Sequence, residues 1–388
     1  MEAHVVIGAN FGDEGKGTVA ASLAVCKNPK KVLYVLNNGG AQRGHTINLN
    51  GSPVTNKHFG SGTIFGCDTY FAENFLLDPI QFKNENDINL IYTHDKTITF
   101  YRHADCKWVT PFDIMANQSD SIIEGKQNTC GMGIWRTITR YKDTYNGCPL
   151  NKSFDSFMLL DYSDKIQYLE SIAKYYKYNS AISKNYKVFF DDPIVMDNLI
   201  NHFIADCNNM HQYTFPIEKT TESEFINSGY ETVIFENGQG LVIQDTGANI
   251  SSMTPSYTGL KALPTSMKFL YKDDIDFNVH YVTRTYETRH GEDDYFNPIE
   301  KKSLSSYIKD DTNNHYNQWQ GEFKYHPLNV MAMNGRIYED LKFIPKELEN
   351  KVNIILDITH CDEIGSENIY CKAANKINLI GTSKISYF

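Results

Sequence analysis

Residues 8–18, Gly-Ala-Asn-Phe-Gly-Asp-Glu-Gly-Lys-Gly-Thr, constrain this chain more than any other stretch. The apolar run Val5-Val6-Ile7 leads into them, and a small-residue run from Val19 to Val25 leaves them. Strand, glycine loop, helix is the arrangement that aims backbone N–H groups and a helix N-terminus at a phosphate chain. Lys16 adds a mobile positive charge. The string departs from the common P-loop pattern, because its first slot is Asn10 and Gly17 stands between Lys16 and Thr18. A plain anion site has no use for the carboxylate of Asp13. That carboxylate makes sense if the loop also holds a Mg²⁺ or takes a proton from the substrate. The loop and its flanks predict an α/β fold: a large, mostly parallel central sheet with flanking helices and a P-loop-like phosphate site.

A second glycine turn follows. Lys31 to Leu36 reads as a buried strand that opens into Asn-Asn-Gly-Gly-Ala-Gln-Arg-Gly-His-Thr, residues 37–46. Glycines permit a tight loop and close backbone approach to a ligand, and His45 sits where a general acid can face the Asp13 loop. Short β-branched or aromatic runs predict further strands at Lys187 to Phe190, Thr232 to Phe235, Asn278 to Arg284 and Val352 to Asp357. Helical spacing of apolar residues predicts helices at Asp164 to Tyr178 and Asp192 to Asp206, their aromatic side chains read as core. Residues 100–225 lack glycine loops of this kind and read as a helical cap inserted into a single domain spanning 1–388. His290-Gly291-Glu292-Asp293-Asp294 reads as an acidic loop rather than a metal site.

Composition narrows the partners. A net charge of −10 without any basic run excludes duplex nucleic acid on electrostatic grounds. A mononucleotide stays compatible, because local loops bind it. No stretch approaches the length of a membrane-spanning apolar helix, and a strand opens the chain, so neither a membrane segment nor a signal segment is expected. The eight cysteines (26, 67, 106, 130, 148, 207, 361 and 371) form no CxxC pair. That speaks against a zinc ribbon or redox motif and fits reduced thiols in a cytoplasm.

With these motifs the chain resembles the adenylosuccinate synthetase family, whose enzymes carry Gly-Asp-Glu-Gly-Lys-Gly near the N-terminus and Gly-His-Thr a short strand later. Further stretches match in order. Gly60-Ser61-Gly62 is similar to the family's Pro-Ser-Gly, and Thr129-Cys130-Gly131-Met132-Gly133-Ile134 to Thr-Thr-Gly-Arg-Gly-Ile. Glu236-Asn237-Gly238-Gln239-Gly240 resembles Glu-Gly-Ala-Gln-Gly, and Thr285 to Gly291 resembles Ala-Tyr-Ser-Thr-Arg-Val-Gly. Thr359-His360-Cys361-Asp362 is similar to Thr-Lys-Leu-Asp.

The resemblance implies a GTP- and Mg²⁺-dependent ligase, a cytoplasmic homodimer, that joins aspartate to C6 of a 6-oxopurine nucleotide such as IMP. On it, Asp13 would remove the purine N1 proton and ligate Mg²⁺, with Gly44 as a second metal contact. His45 would assist transfer of the GTP γ-phosphate to O6, and Gln239 would hydrogen-bond near O6. Gly12, Gly15, Lys16, Gly17, Thr18, Gly44 and Thr46 would line the GTP, with Asp362 reading the guanine. Gln42, Cys130, Thr254 and Arg140 would contact the purine nucleotide, Arg140 across a dimer interface. The chemistry is coherent by itself. A lactam oxygen leaves poorly, so amination needs O6 as a phosphate ester, and deprotonating N1 makes O6 a nucleophile.

The departures are specific. Cys130 stands where the family has a phosphate-binding Thr, a stronger donor, and Gln42-Arg43 stand where it has Asn-Ala. Where the family has Thr-Thr-Gly and several arginines that bind aspartate, residues 317–326 read Asn-Gln-Trp-Gln-Gly-Glu-Phe-Lys-Tyr-His. Lysine does not replace arginine in bidentate carboxylate recognition. Either Arg284, Arg289 or Lys324 holds aspartate, or the amine donor differs. Two alternatives accompany the main reading: a phage-type synthetase acting on dGMP, and a GTP-binding sensor without turnover.

Overall fold

Strands and helices alternate along the chain, the pattern that builds a parallel sheet. The computed structural model describes residues 1–25, 27–49, 52–93, 98–125, 129–244, 253–263, 270, 275–291, 296–308, 310, 314, 316, 318–363 and 382–388. First come β1 (Glu2–Gly8), α1 (Lys16–Val25), β2 (Val32–Leu36), the hairpin β3 (His45–Leu49) and β4 (Ser52–Asn56), β5 (Asp68–Phe71), α2 (Pro79–Thr93) and β6 (Phe100–His103). A mainly helical stretch follows: α3 (Pro111–Glu124), α4 (Ile134–Arg140), the short hairpin β7 (Thr144–Tyr145) and β8 (Cys148–Pro149), α5 (Phe154–Met158), α6 (Tyr162–Asn179), α7 (Lys187–Asp191) and α8 (Pro193–Tyr213). The chain then forms β9 (Thr214–Ile217), α9 (Glu222–Asn227), β10 (Thr232–Gly240), β11 (Asp276–Arg284) and β12 (Tyr286–His290). It ends with α10 (Lys301–Leu304), β13 (Phe323–Pro327), α11 (Val330–Leu341), β14 (Val352–Thr359) and β15 (Thr382–Tyr387).

Nine strands form one sheet in the order β15-β14-β11-β1-β10-β2-β5-β6-β9, and every pairing is parallel. Parallel strands are covered on both faces and so read as continuous apolar runs; Val5, Val6, Ile7 and all of β2 are fully buried. One face packs Val5, Ile7, Phe235, Val279 and Tyr281 with Met333 and Ile337 of α11. The other packs Val6, Tyr34, Ile234 and Val282 with Val19, Ala20 and Ala24 of α1. Each such large apolar side chain contributes about 1.5–3 kcal/mol on burial. The β1–β10 register shifts between Val6 and Gly8, where the glycine loop begins.

The helical stretch has its own core, in which Trp108, Phe112, Phe154, Phe157, Tyr168, Ile172 and Phe203 are all buried. A capping box between Thr110 and Asp113 starts α3. The cap is narrower than 100–225, because β6 and β9 at its two ends belong to the main sheet. Lys187 to Phe190, expected as a strand, is helix α7. Three consecutive apolar residues satisfy either periodicity, and here Phe190 is buried against Phe112 of α3 rather than joined to a sheet edge. The other expected strands are β10, β11 and β14, and the two expected helices are α6 and α8. Among the described residues, no helix is long and apolar enough to cross a membrane.

Candidate active site

The sheet's C-terminal edge, where open α/β sheets bind ligands, carries a cavity of about 540 Å³. The turns after β1, β2, β10 and β12 form its floor, and residues 129–135 of the cap and 319–320 close it from above.

The turn after β1 is held by its own acid. Glu14 Oε1 accepts from the backbone N–H of Asn10 (3.1 Å) and Gly12 (2.7 Å), while Oε2 accepts from Lys16 Nζ at 3.1 Å. Lys16 also donates to Gly12 O at 2.7 Å and is 2% exposed. Glu14 thus occupies the loop much as an anion would, and Lys16 is turned inward rather than into the cavity. Gly8 is required there, since a Cβ would fall 2.4 Å from Glu14 Oε2. Asp13, next along, does line the cavity. Burial pushes its carboxyl upward, against the nearby His290 and Arg284. Gly15 lies beside Thr359 and His360, and Thr359 Oγ1 donates to Glu14 O at 2.6 Å. That joins the loop to the turn bearing Asp362, which is exposed, as are Thr18 and Gly44.

The turn after β2 delivers His45, packed so closely on α1 that a Cβ at Gly17 would lie 3.1 Å from His45 Cβ. Its Nδ1 lies 2.6 Å from Glu236 Oε1, and Glu236 also accepts from Ser61 N at 2.8 Å and from the Ser61 hydroxyl. Burial pushes His45 down to about 4, Arg43 adding to the effect and Glu236 opposing it. Burial would raise Glu236, but His45, Arg43 and Ser61 outweigh it and hold the carboxyl at about 2. At neutral pH an ionised carboxylate therefore faces a neutral imidazole. Its Nδ1–H donates to Glu236, which leaves Nε2 for a ligand.

Gln42 gathers the third group. Its Nε2 donates to Thr254 Oγ1 at 2.9 Å, Cys130 Sγ lies 3.7 Å from its Oε1, and its carbonyl accepts from Gln239 Nε2 at 3.1 Å. Gln239 adopts φ +66°, a strained setting for a residue with a side chain. Thr46 Oγ1 is paired with Thr55 Oγ1 at 2.9 Å, off to the side.

Of the residues singled out in the sequence, Gly12, Asp13, Gln42, Gly44, His45, Cys130, Gln239 and Thr254 line this one cavity. Arg140 does not. It is buried in the cap, where its Nε donates to Asp113 Oδ1 at 2.8 Å and its remaining nitrogens donate to Leu150 O and Trp108 O. A guanidinium so enclosed cannot reach across to a second subunit, which corrects the expectation for this residue. Of the three candidate carboxylate binders, Arg289 lines the cavity. Arg284 donates to Asp13 O, and Lys324 to Gly291 O at 2.7 Å. The acidic loop beyond Gly291 lies outside the described residues.

The sequence reading gave no role to Glu236, Ser61, Arg43, Lys57 or Trp319. A glutamate directly after the apolar run Thr232 to Phe235 was a usable signal, since a carboxylate ending a buried parallel strand faces the ligand edge. Trp319 stacks on Gly131, where φ is +71° and a Cβ would lie 2.9 Å from the indole. No group of three or more His, Cys, Asp or Glu able to hold a metal occurs among the described residues. One carboxylate, Asp13, and the exposed backbone of Gly44 in the same cavity lining suit Mg²⁺, which takes few protein oxygens and completes its shell with phosphate and water.

Comparisons with known proteins agree with this geometry. The sequence model of the adenylosuccinate synthetase family matches residues 5–318. The adenylosuccinate synthetase of Thermoplasma volcanium is 25% identical over 265 residues, covering 66% of this chain and 56% of that protein. That of Picrophilus torridus is 23% identical over 293 residues, covering 74% and 63%. The chain therefore aligns with less than two thirds of the length of these relatives. Among solved structures, the fully ligated adenylosuccinate synthetase of Plasmodium falciparum superposes with TM-score 0.66 at 12% identity, over 92% of this chain and 76% of that one. The cyanophage S-2L succinoaminodeoxyadenylate synthetase, bound to dGMP and to dATP as an energy donor, superposes with TM-score 0.60 at 11% identity, over 99% and 91%. At such identities the superpositions speak for the fold.

Proposed function

This chain belongs to the adenylosuccinate synthetase family, and we propose that it is a GTP- and Mg²⁺-dependent ligase that phosphorylates O6 of a 6-oxopurine nucleotide and replaces it with the amine of aspartate. The observation that carries this reading is the meeting of Asp13 from the turn after β1, His45 from the start of β3 and Gln239 from β10 in one cavity.

In this reading Asp13 accepts the N1 proton, which its raised carboxyl is suited to do. O6 then attacks the γ-phosphorus and GDP leaves. Incoming phosphate charge favours protonation of His45 at Nε2, and the imidazolium donates to the phosphoryl oxygens. Gln239 has a second amide N–H beyond the one given to Gln42, and this N–H faces developing charge at O6. The amine nitrogen adds to C6, the C6–O6 bond breaks, and O6 departs in inorganic phosphate. Asp13 and the backbone of Gly44 would hold Mg²⁺, which would supply charge neutralisation on the phosphates. Of the three arginine and lysine candidates named from the sequence, Arg289 is the one in the wall and suits a carboxylate of the amine donor. The enzyme would work in a cytoplasm as a homodimer.

A second reading, a phage-type enzyme acting on dGMP, is favoured by the stretch 317–326 with its lack of arginine and by the near-complete overlap with the cyanophage structure. Phosphate release from GTP with Mg²⁺, assayed across IMP, dIMP, GMP and dGMP with and without aspartate, decides. Release that needs one purine and aspartate supports the ligase and names its substrate. Release indifferent to aspartate points to another donor, and GTP binding without release would leave a sensor.

A further inference from the structure

Arg43 lies in the cavity wall, 3% exposed, near the Glu236 and Glu85 carboxylates, yet its guanidinium hydrogen-bonds no carboxylate among the described residues. Its two terminal nitrogens donate to carbonyls, Glu236 O and Phe59 O, each at 3.1 Å. Its Nε has no hydrogen-bond partner among the described residues. A buried guanidinium in this state is costly, so what it holds in place is informative. Those carbonyls belong to the two backbones that supply the partners of His45: Glu236 in the middle of β10, and the turn from Phe59 to Ser61, where the Ser61 N–H and hydroxyl bind the Glu236 carboxylate. The stem of Arg43 lies on Gly238, where a Cβ would fall 2.7 Å from Arg43 Cδ and 3.0 Å from Cγ. Asn38 brackets the same glycine, accepting from Gly238 N at 2.8 Å and donating to Gly238 O at 3.0 Å. The next residue is Gln239, whose left-handed backbone persists only because its surroundings fix it.

We propose that Arg43 is a positioning residue for the reaction: its guanidinium clamps the Glu236–Ser61 seat of His45, and its stem, fitted to Gly238, sets the backbone of Gln239. The turnover part of this inference rests on the ligase reading; the geometric part does not. Lysine cannot substitute, because a single ammonium does not span two carbonyls in a fixed plane.

The test compares Arg43→Ala, Arg43→Lys, Gly238→Ala and the double Arg43→Ala/Gly238→Ala variant. Two quantities are read: kcat and KM for both nucleotides, and the ¹H–¹⁵N signal of the His45 Nδ1–H in unliganded protein. Each single variant should lower kcat by about tenfold or more while both KM values stay within about threefold. The Arg43 variants should lose the Nδ1–H signal. Introducing Gly238→Ala into the Arg43→Ala background should cost less than about twofold, since the collision has gone. Unchanged kcat in Arg43→Ala, a retained signal, or additive losses would overturn the proposal. Should the alanine variant not fold, Arg43→Lys and Gly238→Ala carry the same comparison. Absence of turnover in the wild-type protein counts against the ligase reading, and the resonance then decides the role of Arg43 alone.

Discussion

The imidazole of His45 and the carboxylate of Glu236 meet at 2.6 Å inside the protein, with side chains 4% and 0% exposed. Sequence separates them by 191 positions; the pairing of β10 with β2 in the sheet brings them together. The contact fixes which ring nitrogen faces the cavity, and so links the fold directly to the chemistry.

Glu236→Gln should therefore lower kcat by about 10²-fold, the scale of a misplaced acid–base group, with GTP binding retained. It should also alter acid stability. The Glu236 carboxyl stands at about 2, below its ordinary 4.5. Its contribution is present above pH 4.5 and is lost as pH falls toward 2, on the order of 3 kcal/mol. Acid unfolding of wild type against variant, followed by near-UV circular dichroism, checks this. Parallel curves would argue against a charged Glu236.

Asp13→Asn should abolish turnover, a loss of about 10²–10⁴-fold for a general base, and leave GTP affinity measured by calorimetry nearly unchanged. Retained turnover would remove Asp13 from the role of base.

Asp340 anchors the turn at Leu260, whose N–H it binds at 3.0 Å, and accepts from Tyr281 Oη at 2.9 Å. Burial pushes it up to about 6. A carboxyl raised above its unfolded value stabilises most below that unfolded value, and the benefit fades as pH rises through 6. Asp340→Asn should therefore flatten stability between about pH 4 and 6, by roughly 3 kcal/mol relative to wild type. Urea unfolding across that range gives the answer; an unchanged slope would mean that Asp340 does not titrate there.

Arg140→Met should cost about 3–5 kcal/mol, because it strands the buried Asp113 carboxylate. At a temperature where the variant is folded, KM for the purine nucleotide should not change, as expected of a cap-core residue. A KM rise of more than about tenfold would instead restore a substrate role.

Gly131→Ala adds a Cβ at φ +71° and against Trp319. It should push the 318–321 turn off the cavity roof and raise KM for the amine donor by about tenfold with smaller effect on GTP. Equal KM values would separate Trp319 from the amine site.

What was legible in the sequence was what short-range chemistry dictates. The strand, loop and helix around Gly12–Gly17 were legible, because glycines, a lysine and a preceding apolar strand have few other joint uses. β10, β11 and β14 were readable as buried runs. Val188-Phe189-Phe190 was not, since a run that short suits either periodicity and only packing against α3 makes it helix. Arg140 misled because resemblance in motif order says nothing of which way α4 turns; its partner Asp113 lies 27 positions earlier, on a different helix. Glu236 had a local signal in its apolar run, but Ser61 and Arg43 gained no role for a related reason. Their contacts run across β10, the 59–61 turn and the turn after β2, which no local pattern encodes.

Transfer of the γ-phosphoryl group to O6 leaves an isotopic trace. With a purine nucleotide labelled with ¹⁸O at C6, turnover through a phosphorylated O6 requires that label to leave in inorganic phosphate. One ¹⁸O per phosphate released is expected, dependent on Mg²⁺ and lost in Asp13→Asn. Phosphate released without label would show that water, not O6, receives the γ-phosphoryl group, and would contradict the account.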